Sequence, residues 1–532
     1  MGAILVRMSE AGIDHGQRAG GKVGNNVLLS ALALVIANAF VSASGFLREA
    51  SLAYAYGTDR TADAVAVLFF IFETLTVVVV SGIAPYMLVP LVAGTRDRGD
   101  HDQDAVSSIV TLGVVGISAL WLVVFLLGPL LVPGVPGLPS GAGSELTVRL
   151  LRYSGFALPV IAFCGLVGAV LQGRGAFVPP AIGRVGLNVS VALAVWFLAQ
   201  RLGAEASAVA LIGGSLVQLG IVIIALRRVR FPLNVRFRLE PRITALIRAG
   251  APALVAFVLV SVAQPTIERV ILSQLPPGYL AAGTYAWRLF YLFLGLAVAL
   301  QTVAFTRLAA HGHASVGGEE RAHVVRSDLR SSAFVLIPIS VAIWLLREPL
   351  AAMAFLRGEF DARSLELTVS AFSWYILTLL PAHLFGLMLR TQIAFRSSGA
   401  AARLAAVWVV LSIGIQWSAA DWLSLRAIPL GSGVASLACA LIGMRLIERL
   451  TASSLISGFI QNTGAALAAT LVAAVPLIAW RFFYTEPGRP SINQILIMGA
   501  AGIAGVVIYG AIVLPRLLGK PLSAILVRAR AN

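Results

Sequence analysis

Residues 41–63, VSASGFLREASLAYAYGTDRTAD, decide how the chain is read. They end one apolar segment, about 26–47, and open a second, about 65–93. Arg48, Glu49 and Asp63 thereby fall at the expected rim of a membrane. A charge at that depth is costly unless it faces water, protein or substrate. A related stretch, VSVAQPTIERVILSQLPPGYLAAGTYAWR, returns at 260–288. Val41-Ser42 aligns with Val260-Ser261, and Glu49 with Glu268, at an offset of 219. Residues 171–177, LQGRGAF, align with 389–395, LRTQIAF, at 218. The approach at 149–159 resembles that at 368–381. These matches predict two copies of one unit in the same orientation, a parallel repeat about an axis along the membrane normal.

Composition bounds the class. The 532 residues are 58% apolar and 12% charged, with a mean hydropathy of +0.90. Soluble chains carry about 25% charged residues, and a spanning helix takes about 20 mostly apolar ones. The chain reads as an all-α polytopic membrane protein with fourteen transmembrane helices: two six-helix lobes and two C-terminal helices. The expected domains are 1–226, a basic linker at 227–248, a second lobe at 249–450, and 451–532 with the last two spans and a basic tail. Residues 347–366, REPLAAMAFLRGEFDARSLE, read as an outer polar segment with a surface helix. No cleaved signal peptide is expected, because the first apolar run is too long for one.

The net charge of +16 comes from 38 Arg and 2 Lys against 24 acids. With the N-terminus cytoplasmic, 27 of the 40 basic residues fall on the cytoplasmic side, which sets both termini inside. Basic residues scattered over short loops argue for membrane topology rather than nucleic acid. The 227–248 stretch, RRVRFPLNVRFRLEPRITALIR, has seven Arg and one acid, and is expected to lie on anionic head groups. Cys164 and Cys439 fall in apolar segments, so neither a disulfide framework nor a metal site is expected.

Enzyme signatures are missing: no Walker A loop, no HExxH and no DxD-type metal cluster. A membrane-embedded glycosyl- or acyltransferase would need convergent acids, bases or histidines, which the sequence does not show. No cofactor is expected.

Gly45-Phe46-x-Arg48-Glu49, then Gly57 and Ala62-Asp63-Ala64, resemble the opening of the MurJ/MviN family. These are lipid II flippases of the multidrug/oligosaccharidyl-lipid/polysaccharide exporter superfamily. Tyr285-Ala286, Arg288-Leu289 and Arg357-Gly358-Glu359-Phe360-Asp361 follow in family order. The resemblance covers most of 25–450. It implies a transporter, not an enzyme, in the bacterial inner membrane. By alternating access it would move a lipid-linked glycan of the undecaprenyl pyrophosphate type, lipid II first among them, from the inner to the outer leaflet. Membrane lipids and cell-envelope synthesis proteins are the implied partners. Family cavity arginines match Arg48 and Arg288. Two further such positions differ: one reads Ser42, and the span-2 stretch reads Phe72-Glu73-Thr74-Leu75-Thr76-Val77, without the family's Pro-Asn. An undecaprenyl-linked exopolysaccharide unit, or a drug or ion for an antiporter, therefore stands as an alternative cargo.

The candidate substrate-binding residues are Arg48, Arg288, Glu73, Asp63 and Arg269. Arginine suits a diphosphate because its planar fork pairs with two oxygens and stays charged. Each has a plainer reading. Arg48 and Arg269 are also placed to snorkel to the interface. Glu73 is either the partner of Arg288, a proton site or a buried structural acid, and Asp63 is placed to cap span 2. His383 reads as a packed polar side chain or a proton relay. Trp374 and Tyr375 read as interfacial anchors.

Overall fold

A computed structural model of the chain describes residues 22–78, 88–89, 91–92, 100–131, 142–238, 255, 257–310, 318–395, 397–483 and 490–518. Among these the regular structure is helical. By packing, the chain divides into one unit of Met1–Arg288 with Arg357–Phe360 and another of Leu289–Leu356 with Asp361–Asn532. This division falls inside a helix rather than at 227–248.

In the first unit, α1 (Lys22–Tyr56) runs through the charged pair and stops only at Gly57. Arg48 and Glu49 are therefore inside a helix that continues past the expected limit near residue 47. FLREASLAYAY keeps good helix formers, and its charges find buried partners. Asp59 caps α2 (Arg60–Val77), its Oδ1 accepting from the Ala62 N–H at 2.8 Å. There follow α3 (Asp100–Leu131), α4 (Ala142–Ser154), α5 (Ala157–Gly173), α6 (Val178–Leu202) and α7 (Glu205–Val229). Prolines open α6, where a missing N–H is harmless. Gly203 turns α6 into α7, and α1 packs along α6. A π-helical turn (Leu259–Ala263) leads into α8 (Gln264–Ser273), and α9 (Tyr279–Ala310) begins in this unit.

The first half of the basic linker is anchored to α3. Past Arg230, Phe231 is buried, the Asn234 and Arg236 N–H groups donate to Ser107 and Thr111 of α3, and Arg236 pairs with Asp104 at 2.9 Å. Residues 239–248 lie outside the described residues, as do the N-terminal tail before Lys22 and the C-terminal tail after Leu518.

The second unit holds the rest of α9, then α10 (Gly318–Phe355), α11 (Ala362–Leu377), α12 (Leu379–Ala394), α13 (Ser398–Leu423), α14 (Ala427–Thr451), α15 (Ile456–Ala473), α16 (Val475–Phe483) and α17 (Ile492–Leu518). The expected surface helix within 347–366 is the last part of α10, with Ala351, Ala352 and Phe355 buried. Tyr375 is buried and stacks on Phe290 at 5.5 Å, so it is not an interfacial anchor; Trp374 is half-buried.

Seven helical stretches among the described residues are long and apolar enough to cross a bilayer, or nine if each bent pair is one span. Much of expected span 2 and the start of span 7 lie outside the described residues. The bent pairs are α4–α5, at 56°, and α11–α12, at 47°. Each falls in one copy of the sequence repeat, at the corresponding place.

Gly278 and Gly358 occupy turns of the first unit that require glycine. Gly278 has φ +92°, and a Cβ there would run into the Thr58 carbonyl; Gly358 has φ +62°, and a Cβ there would run into that of Tyr54. The neighbouring Glu359 N–H donates to the Tyr54 carbonyl at 3.0 Å, which fixes the approach. Left-handed backbone costs an L-residue about 1–2 kcal/mol before any collision is counted. Gly278→Ala and Gly358→Ala should each lower the melting temperature of the purified protein by several degrees. Melting unchanged by both would show that these approaches are not tight.

Candidate functional site

Four charged side chains from three helices meet in the first unit. Arg48 Nη2 pairs with Glu49 Oε1 at 2.6 Å and also with Glu73 Oε1. Arg288 Nη2 pairs with the same two oxygens, at 3.2 Å from Glu49 and in direct contact with Glu73. Two guanidinium groups thus share two carboxylates, with formal charges in balance. Neighbours in sequence do not face each other on a helix. Arg48 and Glu49 nonetheless meet here, and Glu49 and Glu73 each bridge Arg48 to Arg288.

The surroundings hold this geometry. Asn188 of α6 accepts from Arg48 Nη1 at 3.3 Å and donates to Ser44 Oγ at 3.1 Å. The guanidinium of Arg48 lies 4.9 Å from the centre of the Phe69 ring, a cation–π contact. Gly45 leaves room beside Asn188 and Arg288, where a Cβ would stand 3.7 and 3.8 Å away. Arg48 and Glu49 have side chains only 5% and 3% exposed, Arg288 17%, and Glu73 37%. The cluster is therefore buried on the α1 side and open at Glu73.

Asp63 does different work. Its carboxylate accepts from the Gly278 N–H at 2.7 Å and the Ala281 N–H at 2.8 Å. The expectation that it caps a helix is corrected in one respect: Asp59 caps α2, and Asp63 caps α9. Capping uses a carboxylate to satisfy orphan N–H groups and to meet the positive end of the helix dipole. Asp63–Gly278 and Glu73–Arg288 are both separated by 215 residues. α2 and α9 therefore run side by side in one register, tied first by the cap and ten residues later by the ion pair. At 1.5 Å per residue the ion cluster lies about 15 Å along the helices from that cap, about half the hydrocarbon thickness.

Arg269 of α8 is half-buried, with its guanidinium 3.7 Å from the centre of the Phe70 ring and Nη1 donating to the Pro265 carbonyl at 3.2 Å. Glu268, its neighbour, accepts from Gln264 at 2.5 Å. A cavity of about 330 Å³ opens in the same unit, lined by Tyr54, Tyr56, Asp59, Trp196, Gln200 and Glu359 among others. None of the four clustered ions lines it.

Sequence reasoning missed Glu49, Asn188 and Ser44 as members of the site. Glu49 had a signal, since it stands beside a cavity arginine and recurs as Glu268. Asn188, in an ordinary apolar span, had none.

Comparison with known proteins settles the family. A sequence profile for "Lipid II flippase MurJ" matches residues 52–496. The chain belongs to the MurJ family of lipid II flippases. The lipid II flippase MurJ of Burkholderia cenocepacia is 29% identical over 353 residues, 62% of this chain and 66% of that one. A probable lipid II flippase MurJ of Rhizobium meliloti is 26% identical over 337 residues, 60% and 62% of the two chains. The aligned part thus spans just under two thirds of these curated relatives. A solved structure of a lipid II flippase MurJ in an inward closed conformation superposes with a TM-score of 0.73 at 16% identity, covering 92% of this chain and all of that one. An inward-facing multidrug transporter of the MATE family superposes at 0.57 with 15% identity, covering 79% and 94%. The fold is that of a multi-pass membrane transporter.

Removing one member of a buried ion network leaves its partner uncompensated, a loss of about 3–5 kcal/mol. Glu49→Gln should therefore destabilise the purified protein by an amount of that order. Adding Arg288→Gln should cost much less than the sum of the single effects, because the two share one interaction. Additive losses in a thermal double-mutant cycle would contradict the shared network.

Proposed function

We propose that this chain moves a lipid-linked glycan diphosphate, lipid II above all, from the inner to the outer leaflet by alternating access. Arg48 and Arg288 would take the diphosphate. The observation that supports this most is their sharing of Glu73, the most exposed member of the cluster. A diphosphate arriving on that open side offers oxygens in place of the carboxylate, and Arg pairs with phosphate oxygens at two points. Exchange of Glu73 for diphosphate ties occupancy to the packing of α2 on α9. Differential affinity for two arrangements of this kind is what a ligand needs to shift a conformational equilibrium. The similarity to lipid II flippases supports lipid II over an exopolysaccharide unit or a drug.

The orientation proposed is both termini in the cytoplasm, in the bacterial inner membrane, on the distribution of basic residues. Envelope-synthesis enzymes are the proposed partners, since they supply and consume such a precursor.

Complementation of cells depleted of their own lipid II flippase tests the reading. The wild-type chain should restore growth. Arg288→Ala should fail at normal membrane abundance, and Arg288→Lys should restore only part, because an ammonium cannot fork to two oxygens. Growth restored fully by Arg288→Ala would remove that residue from the site. Reporter fusions at Lys22, Arg238 and Asn532 should all report cytoplasm, and a periplasmic signal from any one would overturn the orientation.

A further inference from the structure

A second buried polar system lies in the second unit and takes no part in the diphosphate site. His383 of α12 is 1% exposed. Its Nδ1 lies 3.1 Å from the carbonyl oxygen of Ala297 on α9, and its Nε2 2.7 Å from Ser332 Oγ on α10. Ser332 Oγ is also 2.7 Å from the carbonyl oxygen of Asp328, one turn earlier. Gln301 of α9 donates to the His383 carbonyl at 3.0 Å, in space left by Gly386.

The protons in this network can be counted. A carbonyl only accepts, so the Ala297 contact requires a proton on Nδ1. Ser332 has one hydroxyl proton and two acceptors in reach: the Asp328 carbonyl, and Nε2 when the ring is neutral. With a neutral ring, the hydroxyl turns to Nε2 and leaves the carbonyl. With a proton on Nε2, the ring donates to Oγ, the hydroxyl turns to the carbonyl, and all three contacts are satisfied. Each protonation state thus has its own arrangement, and they differ by rotation of one hydroxyl. A buried histidine held by fixed donors and acceptors would have one.

The charged groups nearest the ring are Arg390, two turns along α12, and Asp328, buried on α10. On the other packed helices, Glu366 of α11, Arg403 and Asp421 of α13, and Arg445 of α14 are exposed near the helix ends, and Glu448 of α14 is half-buried there. Arg330 of α10 lies over the Phe334 ring, and Arg288 stands nine residues earlier on α9.

We propose that His383, with Ser332 and the carbonyls of Ala297 and Asp328, is a proton-binding site, in which proton uptake at Nε2 turns the Ser332 hydroxyl from the ring to the Asp328 carbonyl.

The test is a nitrogen NMR titration of the full-length protein in lipid nanodiscs, with histidine rings labelled, over about pH 4 to pH 9. The chain has six histidines, and His383 is assigned by its absence in His383→Gln or His383→Asn. Nδ1 should stay protonated throughout, while Nε2 passes from unprotonated to protonated as pH falls. Ser332→Ala should move the midpoint, and Ser332→Thr should return it toward the wild-type value. A ring with the same protonated nitrogens at every pH would overturn the proposal, as would a midpoint indifferent to Ser332→Ala. The readout needs no substrate, so it succeeds or fails apart from the glycan reading.

Discussion

Charge deep in a helix bundle must be neutralised, and here two arginines and two glutamates neutralise each other. Arg48 and Glu49 come from α1, Glu73 from α2 and Arg288 from α9. No pair alone would suffice: either arginine without Glu73 would leave excess positive charge at a depth where ions are expensive. The three helices are thereby committed to one arrangement. Other features of the first unit serve that commitment. α1 lies along α6, which brings Asn188 to Arg48. Asp63 holds the start of α9, which brings Arg288 into register with Glu73.

Under the proposed function, a balanced cluster buried on three members and open on the fourth would serve as an anion site. Its cations are already oriented, and Glu73, the most exposed member, is the group an incoming anion would replace. Binding would then be an exchange of one anion for another, with the desolvation cost of the arginines met in folding. The second unit has its own buried polar network, around His383 and Ser332.

The fold class was legible because hydropathy and charge are set by the bilayer, and they are written plainly in composition. The family was legible because Arg48, Glu49, Asp63, Arg288 and Gly358 do jobs that few other residues can do in that order. Helix limits were less legible. α1 continues through Arg48 because the charges are paired by residues distant in sequence, and local pattern carries no sign of such partners. Asp63 shows the same limit: its chemistry as a cap was readable, but the helix it caps lies 215 residues away. The linker at 227–248 was read from its charge, while its first half is governed by Phe231 and by hydroxyls of α3. Tyr375 looked like an interfacial anchor because aromatic residues favour interfaces, yet here Phe290 buries it.

The proposed function has Arg48 and Arg288 hold a diphosphate in place of Glu73. Native mass spectrometry of the purified full-length protein with a polyprenyl diphosphate-linked glycan measures that directly. The wild-type chain should retain the diphosphate lipid in preference to the corresponding polyprenyl monophosphate. A folded Arg48→Gln/Arg288→Gln variant should lose that preference, while still carrying ordinary bilayer lipids. Equal retention of both lipids by the wild-type chain, or an unchanged preference in the double variant, would contradict the account.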